Sequence, residues 1–164
     1  VRYLVPRLGL ILLAALVAGG CGFQLRGAAD LPPEMARTHI TGLEARDGLL
    51  LELERQLRFM DVQVVDDPER ATARLRILQK RDTRRVLSVG SDVIVREYEL
   101  ITTVRYDVRG VDSDFRRDPV TLTAVRELTF DQTSVYGTAA EEALLRQDMQ
   151  RELVQRMLRR LETR

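Results

Sequence analysis

Few residues in this 164-residue chain could do chemistry, and their spacing limits what that chemistry could be. The only histidine is His39, and the serines are Ser88, Ser91, Ser113 and Ser134. A Ser-His-Asp hydrolase would need the histidine beside one of those hydroxyls, and none stands in a nucleophile-elbow pattern. Glu97 with Glu99, and Glu141 with Glu142, are close carboxylate pairs. The second pair is explained by a helix start and Glu99 by an exposed strand position. No glycine-rich phosphate loop is present, since neither GxGxxG nor GxxxxGK occurs. One cysteine and one histidine leave too few soft ligands for a structural zinc site and no internal disulfide framework. These residues predict no enzyme, no cofactor and no metal. The remaining chemistry is a lone thiol, Cys21, and a basic run: Arg74, Arg76, Lys80, Arg81, Arg84 and Arg85, with Asp82 the single acid among them. Guanidinium forks pair with phosphate oxygens, so that run could bind an anionic lipid head group. The same charges would also guard a strand edge against pairing with another sheet.

Charge and length narrow the class further. The 26 basic and 25 acidic groups give a net charge of +1, with no electrostatic case for nucleic acid. Hydrophobic residues at 45% and charged residues at 31% describe a globular chain of one domain. Residues 1–20 differ from the rest: Arg2 and Arg7 are the only charges, and Leu8 to Val17 is apolar apart from Gly9. That run is far short of the roughly 20 residues of a membrane-spanning helix, and it reads as a signal peptide. Leu16-Val17-Ala18-Gly19-Gly20-Cys21 resembles a bacterial lipobox, with Ala18 where leucine is usual. The resemblance implies cleavage before Cys21, S-diacylglycerol and N-acyl groups on that residue, and a stable two- or three-chain anchor. Gly22 stands where aspartate would retain such a protein in the inner membrane, so the outer membrane is expected. Cleavage removes Arg2 and Arg7 and leaves 24 basic against 25 acidic groups.

The elements that must position these residues follow from periodicity. A leader covers residues 21–36, with Pro32-Pro33 marking irregular structure. Arg37 to Thr41 is predicted as a strand ended by Gly42. Asp47 then caps a helix whose stripe is Leu50, Leu53, Leu57 and Met60. Ala71, Ala73, Leu75 and Ile77 alternate with polar residues as a second strand, and Gly90-Ser91-Asp92 is a turn. In the third strand Tyr98, Leu100, Thr102, Val104, Tyr106 and Val108 share a face, while Arg105, Asp107 and Arg109 are assigned mostly to the wet one. Gly110 to Pro119 reads as a polar loop and Val120 to Phe130 as the fourth strand, with a bulge or rim position at Arg126. Thr138 and Glu141 form a capping box for a last helix, with a stripe of Leu145, Met149, Leu153, Leu158 and Leu161. The order β-α-β-β-β-α predicts an α+β two-layer sandwich, two helices on one face of a four-stranded mixed sheet. The domain is expected over residues 37–164.

Several short motifs occur in an order that resembles one known family. Cys21-Gly22-Phe23-Gln24-Leu25-Arg26-Gly27 is similar to the mature start of the LPS-assembly lipoprotein family LptE, whose leader reads Cys-Gly-aromatic-x-Leu-Arg. Val86-Leu87-Ser88-Val89-Gly90 leading to Arg96-Glu97-Tyr98-Glu99-Leu100 resembles the family's hairpin, and Arg126 with Phe130-Asp131 resembles the end of its last strand. The late Arg159-Arg160-Leu161 of the final helix is similar as well. The resemblance spans essentially the whole chain. It implies two helices on a four-stranded sheet and a non-enzymatic role: a periplasm-facing plug within the large outer-membrane barrel LptD. It further implies help in assembling that barrel and a part in placing lipopolysaccharide in the outer leaflet. On this reading the partners are an LptD-type barrel, lipopolysaccharide and the outer membrane, with no nucleic acid and no homo-oligomer. Lipopolysaccharide contact is then expected at Arg74, Arg76, Lys80, Arg81, Arg84 and Arg85. A periplasm-facing adaptor of another transport or barrel-assembly complex is the alternative.

Overall fold

Asp47 starts the first long helix as its sequence position requires. Its Oδ1 accepts a hydrogen bond from the Leu49 amide at 2.8 Å, satisfying one of the orphan donors of the first turn. The structure, a computed structural model, describes residues 31–91, 95–130 and 135–162. Cys21, the Cys21–Gly27 motif, Asp92, Asp131 and Ser134 lie outside the described residues.

Helix α1 spans Gly48–Phe59 and α2 spans Val135–Leu161. Strands are β1 (Arg37–Thr41), β2 (Gln63–Val64), β3 (Ala73–Val89), β4 (Val95–Gly110) and β5 (Arg116–Thr129). The sheet runs in the order β2-β1-β3-β4-β5, with β1 parallel to both β2 and β3 and the rest antiparallel. The architecture is therefore α+β with two helices and a mixed sheet, as expected, but with five strands rather than four. The additional strand has only two residues, and its parallel pairing with Arg37 and Thr38 is what makes it a strand.

Both helices pack on one sheet face. Leu49, Leu53 and Leu57 of α1 and Met149, Leu153, Met157 and Leu161 of α2 share one core with Leu75, Ile77, Leu100, Val104, Tyr106 and Leu128. Tyr106 keeps its hydroxyl satisfied there by donating to the Met157 carbonyl at 3.4 Å. The core row of α1 is Leu49-Leu53-Leu57 at a spacing of four, so Leu50 and Met60, expected in the stripe, lie at its margins. The helix ends with Asp61 in the left-handed region (φ 59), which a short polar side chain tolerates. Gly42 also has positive φ (91), and a Cβ there would sit 2.0 Å from the Ile77 carbonyl oxygen, so the backbone leaving β1 presses directly on β3.

Four local expectations are corrected. The polar loop at Gly110 to Pro119 contracts to five residues, because β5 begins at Arg116. Pro119 is tolerated inside β5 because that strand is at the sheet edge, next to an irregularity between Tyr106 and Val108. Arg126 causes no bulge: it lies opposite Leu100 in unbroken register, and its guanidinium is taken up by Glu152 of α2 at 2.7 Å. Thr138 is not an N-cap, since α2 begins three residues earlier and buries it. Asp107 is buried rather than wet, because Arg76 covers it in a bidentate pair.

Candidate functional site

The six basic residues on β3 do not form one surface. Ala73, Leu75 and Ile77 point into the core, which places Arg74 and Arg76 on the opposite, open face of the sheet. A bulge between Ile77 and Gln79 then shifts the alternation by one residue. Beyond it Lys80 stands opposite Val104 and Arg84 opposite Leu100, so both face the helix layer, while Arg81 and Arg85 join Arg74 and Arg76 on the open face. Had the strand continued without a bulge, the two pairs would have changed places.

On the helix side the charges are consumed internally. Lys80 Nζ donates to both oxygens of Asp47 at 2.8 and 3.1 Å and lies 3.3 Å from Asp82. Burial pulls its ammonium pKa down, but Asp47 and Asp82 outweigh burial and hold it above the ordinary lysine value. Arg84 Nη1 pairs with Glu142 at 3.2 Å, and its guanidinium lies 4.6 Å over the Tyr98 ring. Arg146 of α2 closes the network, 3.4 Å from Asp82 and 3.5 Å from Glu142. One chain of charges thus joins the start of α1, the middle of β3 and the first half of α2. Tyr98 also meets Phe130 edge-on, with ring centroids 5.8 Å apart, so the hairpin motif and the strand-end motif touch.

On the open face Arg76 grips Asp107, which holds the guanidinium above its usual pKa through that hydrogen bond. Arg85 pairs with Glu99 across the β3–β4 ladder. Arg81 is exposed and makes no ion pair among the described residues, and Arg74 has a buried Nε without a hydrogen-bond partner. Three further arginines share this face: Arg105, Arg109 and Arg116. Sequence alternation places Arg105 and Arg109 off the core. It does not show that Arg109 lies beside Arg74, because that depends on strand register, and Arg116 falls within the stretch that reads as a polar loop.

His39 and Ser88, two candidates for a catalytic pair, are occupied otherwise. Nδ1 of His39 sits 2.9 Å from the Val65 carbonyl, which fixes the ring as a structural donor, and Ser88 Oγ donates to Glu97 at 2.7 Å. Among the described residues no group of three or more His, Cys, Asp or Glu side chains is placed to hold a metal ion. None of the described helices is long and apolar enough to cross a membrane.

The family model for LptE, lipopolysaccharide-assembly, matches residues 39–161, which takes in the whole sheet beyond the first two residues of β1 and both helices. The chain belongs to the LptE family. A curated LPS-assembly lipoprotein LptE from Pectobacterium atrosepticum is 30% identical over 152 residues, covering 92% of this chain and 82% of the relative. Among solved structures, an uncharacterized lipoprotein B from Nitrosomonas europaea matches with TM-score 0.64 and 30% identity, covering 86% of this chain and 90% of that one. A minor lipoprotein from Acinetobacter baumannii shares the fold with TM-score 0.63 at 24% identity, over 77% and 90% of the two chains. LptE proteins are assembly lipoproteins rather than enzymes.

Proposed function

We propose that this LptE-family chain is an outer-membrane lipoprotein, anchored through acylated Cys21 and facing the periplasm. There it seats as a plug within an LptD-type β-barrel, helps that barrel assemble, and takes part in inserting lipopolysaccharide into the outer leaflet. Residues 1–20 serve as signal peptide, 21–36 as lipidated leader, and 37–164 as the plug domain. The observation that carries this reading is the family match over residues 39–161. A surface with both signs of charge interspersed supports it, since the lumen of a large barrel is polar. Toward the hairpin tip the open face of the sheet offers Arg81, Arg85 and Arg105 together with Glu99 and Glu127, and Thr121 and Thr123 on the edge strand, a polar exterior of that kind.

Lipopolysaccharide contact is proposed for the basic run, and the bulge divides that run into two zones. Arg74 and Arg76 lie at the base of the hairpin, and Lys80, Arg81, Arg84 and Arg85 lie toward its tip, with roughly 3.4 Å per residue between them. The test of the plug reading is recovery of the tagged full-length protein from its own outer membranes in mild detergent. A single large barrel recovered one-to-one is the expected result. Recovery alone, or with an inner-membrane transporter, would favour an adaptor role instead.

A further inference from the structure

Three arginines stand in one cross-strand row on the open face. Arg74 of β3 is directly opposite Arg109 of β4, and Arg109 is directly opposite Arg116 of β5. Neighbouring strands lie about 4.8 Å apart, so the three Cα positions span about 10 Å in a nearly flat line. Like charges directly opposite one another destabilise a sheet, and here two such pairs follow in succession. The surroundings relieve little of this. Asp107 is committed to Arg76 and reaches Arg109 only at 3.7 Å. Arg74 Nε is buried and unpartnered. Asp114 and Asp118 line a hollow of about 300 Å³ with Arg109 and Arg116 at the β4–β5 turn, yet neither forms an ion pair among the described residues. His39, next to Arg74 on β1, is turned to the Val65 carbonyl.

The row also has a definite place. It lies at the end of the sheet where β1 begins: the Arg37 amide donates to Thr72 Oγ1 at 3.0 Å and the Thr72 amide to the Arg37 carbonyl at 2.8 Å. Leu31 is ten residues from Cys21, a length of chain that reaches at most about 35 Å. A second copy of this chain would bring the same positive face and is repelled. A plane of phosphate groups beside the tether supplies what the row lacks, because the guanidinium fork matches phosphate oxygens in two-point geometry.

We infer that Arg74, Arg109 and Arg116 form a docking face for the phosphodiester head groups of anionic glycerophospholipids, of phosphatidylglycerol type, in the leaflet that holds the anchor. The location of this face rests on the Cys21 anchor reading; its chemistry does not.

The experiment uses the full-length chain in neutral-detergent micelles, with binding read from tail-labelled phosphatidylglycerol against tail-labelled phosphatidylcholine. Phosphatidylglycerol is expected to bind more tightly, the difference shrinking as salt is raised. An arginine near an anionic surface contributes about fivefold, so Arg116→Gln should weaken binding by about that factor and the triple Arg74→Gln, Arg109→Gln, Arg116→Gln change on the order of a hundredfold. The triple variant should melt no lower than the parent chain, because repulsion is removed. If it fails to fold, the exposed Arg116→Gln change carries the test. Equal binding of the two phospholipids, or binding unmoved by Arg116→Gln, overturns the inference. So does preference for polyglutamate, which would mean an acidic protein surface, or a larger loss of lipopolysaccharide binding than of phosphatidylglycerol binding in Arg116→Gln, which would mean saccharide phosphates. The mass of the mature protein reads the anchor separately: unmodified Cys21 with phosphatidylglycerol preference intact overturns the anchor and supports the face.

Discussion

Arg126 of β5 and Glu152 of α2 meet at 2.7 Å, joining the edge strand to the long helix at a position on the core-facing side of the sheet. Glu152 also accepts from Arg156 at 3.3 Å, and Arg156 in turn donates to the Thr123 carbonyl at 2.8 Å. Both partners of the first pair are about one-third exposed, with side chains at 37% and 35%, so solvent screens it. A double-mutant cycle with Arg126→Ala and Glu152→Ala should give a coupling of about 0.5–1 kcal/mol in denaturant unfolding. Coupling near zero would mean that the pair is only a surface contact.

The same glutamate sets part of the acid response. The Arg126 hydrogen bond holds the Glu152 carboxyl below the ordinary carboxylate pKa, against a smaller opposing effect of burial. In Glu52, burial is opposed and outweighed by hydrogen bonds from Arg55 and Gln56, with the same net direction. A carboxylate whose pKa is lowered by folding stabilises the native state fully above its unfolded value, about 4.3, and that contribution is lost as pH falls through the folded value. Melting temperature measured across pH 2–6 should therefore fall less steeply below about pH 4.3 in Glu152→Gln than in the parent.

Asp47 has two tasks that substitution can separate. It caps α1 and it receives Lys80. Asparagine retains the cap and loses the charge, whereas alanine loses both. Chemical denaturation should show Asp47→Ala less stable than Asp47→Asn by about 1 kcal/mol. Equal losses would assign the whole effect to the ion pair.

Gly42 admits no side chain. At φ 91, with the Ile77 carbonyl oxygen 2.0 Å from where a Cβ would stand, Gly42→Ala meets both backbone strain and a backbone clash. A loss of more than about 2 kcal/mol is expected in equilibrium unfolding. Near-parent stability would show that the loop leaving β1 can lift away from β3.

Replacing Lys80, Arg81, Arg84 and Arg85 together with neutral residues should weaken lipopolysaccharide binding by the full-length chain while the domain stays folded by circular dichroism. Because Lys80, Arg84 and Arg85 are paired with Asp47, Glu142 and Glu99, most of the effect should be reproduced by replacing Arg81 alone. Unchanged binding in the fourfold variant would remove the hairpin from the lipopolysaccharide site.

Much of this fold is legible because its signals are local. The Asp47 cap, the alternation of Ala73, Leu75 and Ile77, and the repeat of Met149 with Leu153 each depend on residues within a few positions of one another. What the sequence hides depends on distant partners. Gln63–Val64 is a strand only because Arg37 and Thr38 lie beside it. Nothing near Leu78 announces the bulge that sends Lys80 and Arg84 to one face and Arg81 and Arg85 to the other. The candidate site divides the same way: the basic run is visible as a cluster, but the opposition of Arg74, Arg109 and Arg116 exists only once three strands are in register.

Strand β3 has two halves held by different forces. From Ala73 to Arg76 it lies between β1 and β4 and its inward side chains are sealed, whereas from Gln79 onward β4 is the only strand paired with it among the described residues and none of its side chains is buried. There the bonds to the helix layer are ionic, through Lys80, Asp82 and Arg84. Ionic strength screens such bonds and leaves apolar burial largely intact. The domain should therefore respond to salt as a largely insensitive body carrying an arm that loosens. Backbone amides of the arm that point away from β4 should exchange with solvent at almost every ionic strength, and those that point toward it should gain or lose protection with the salt.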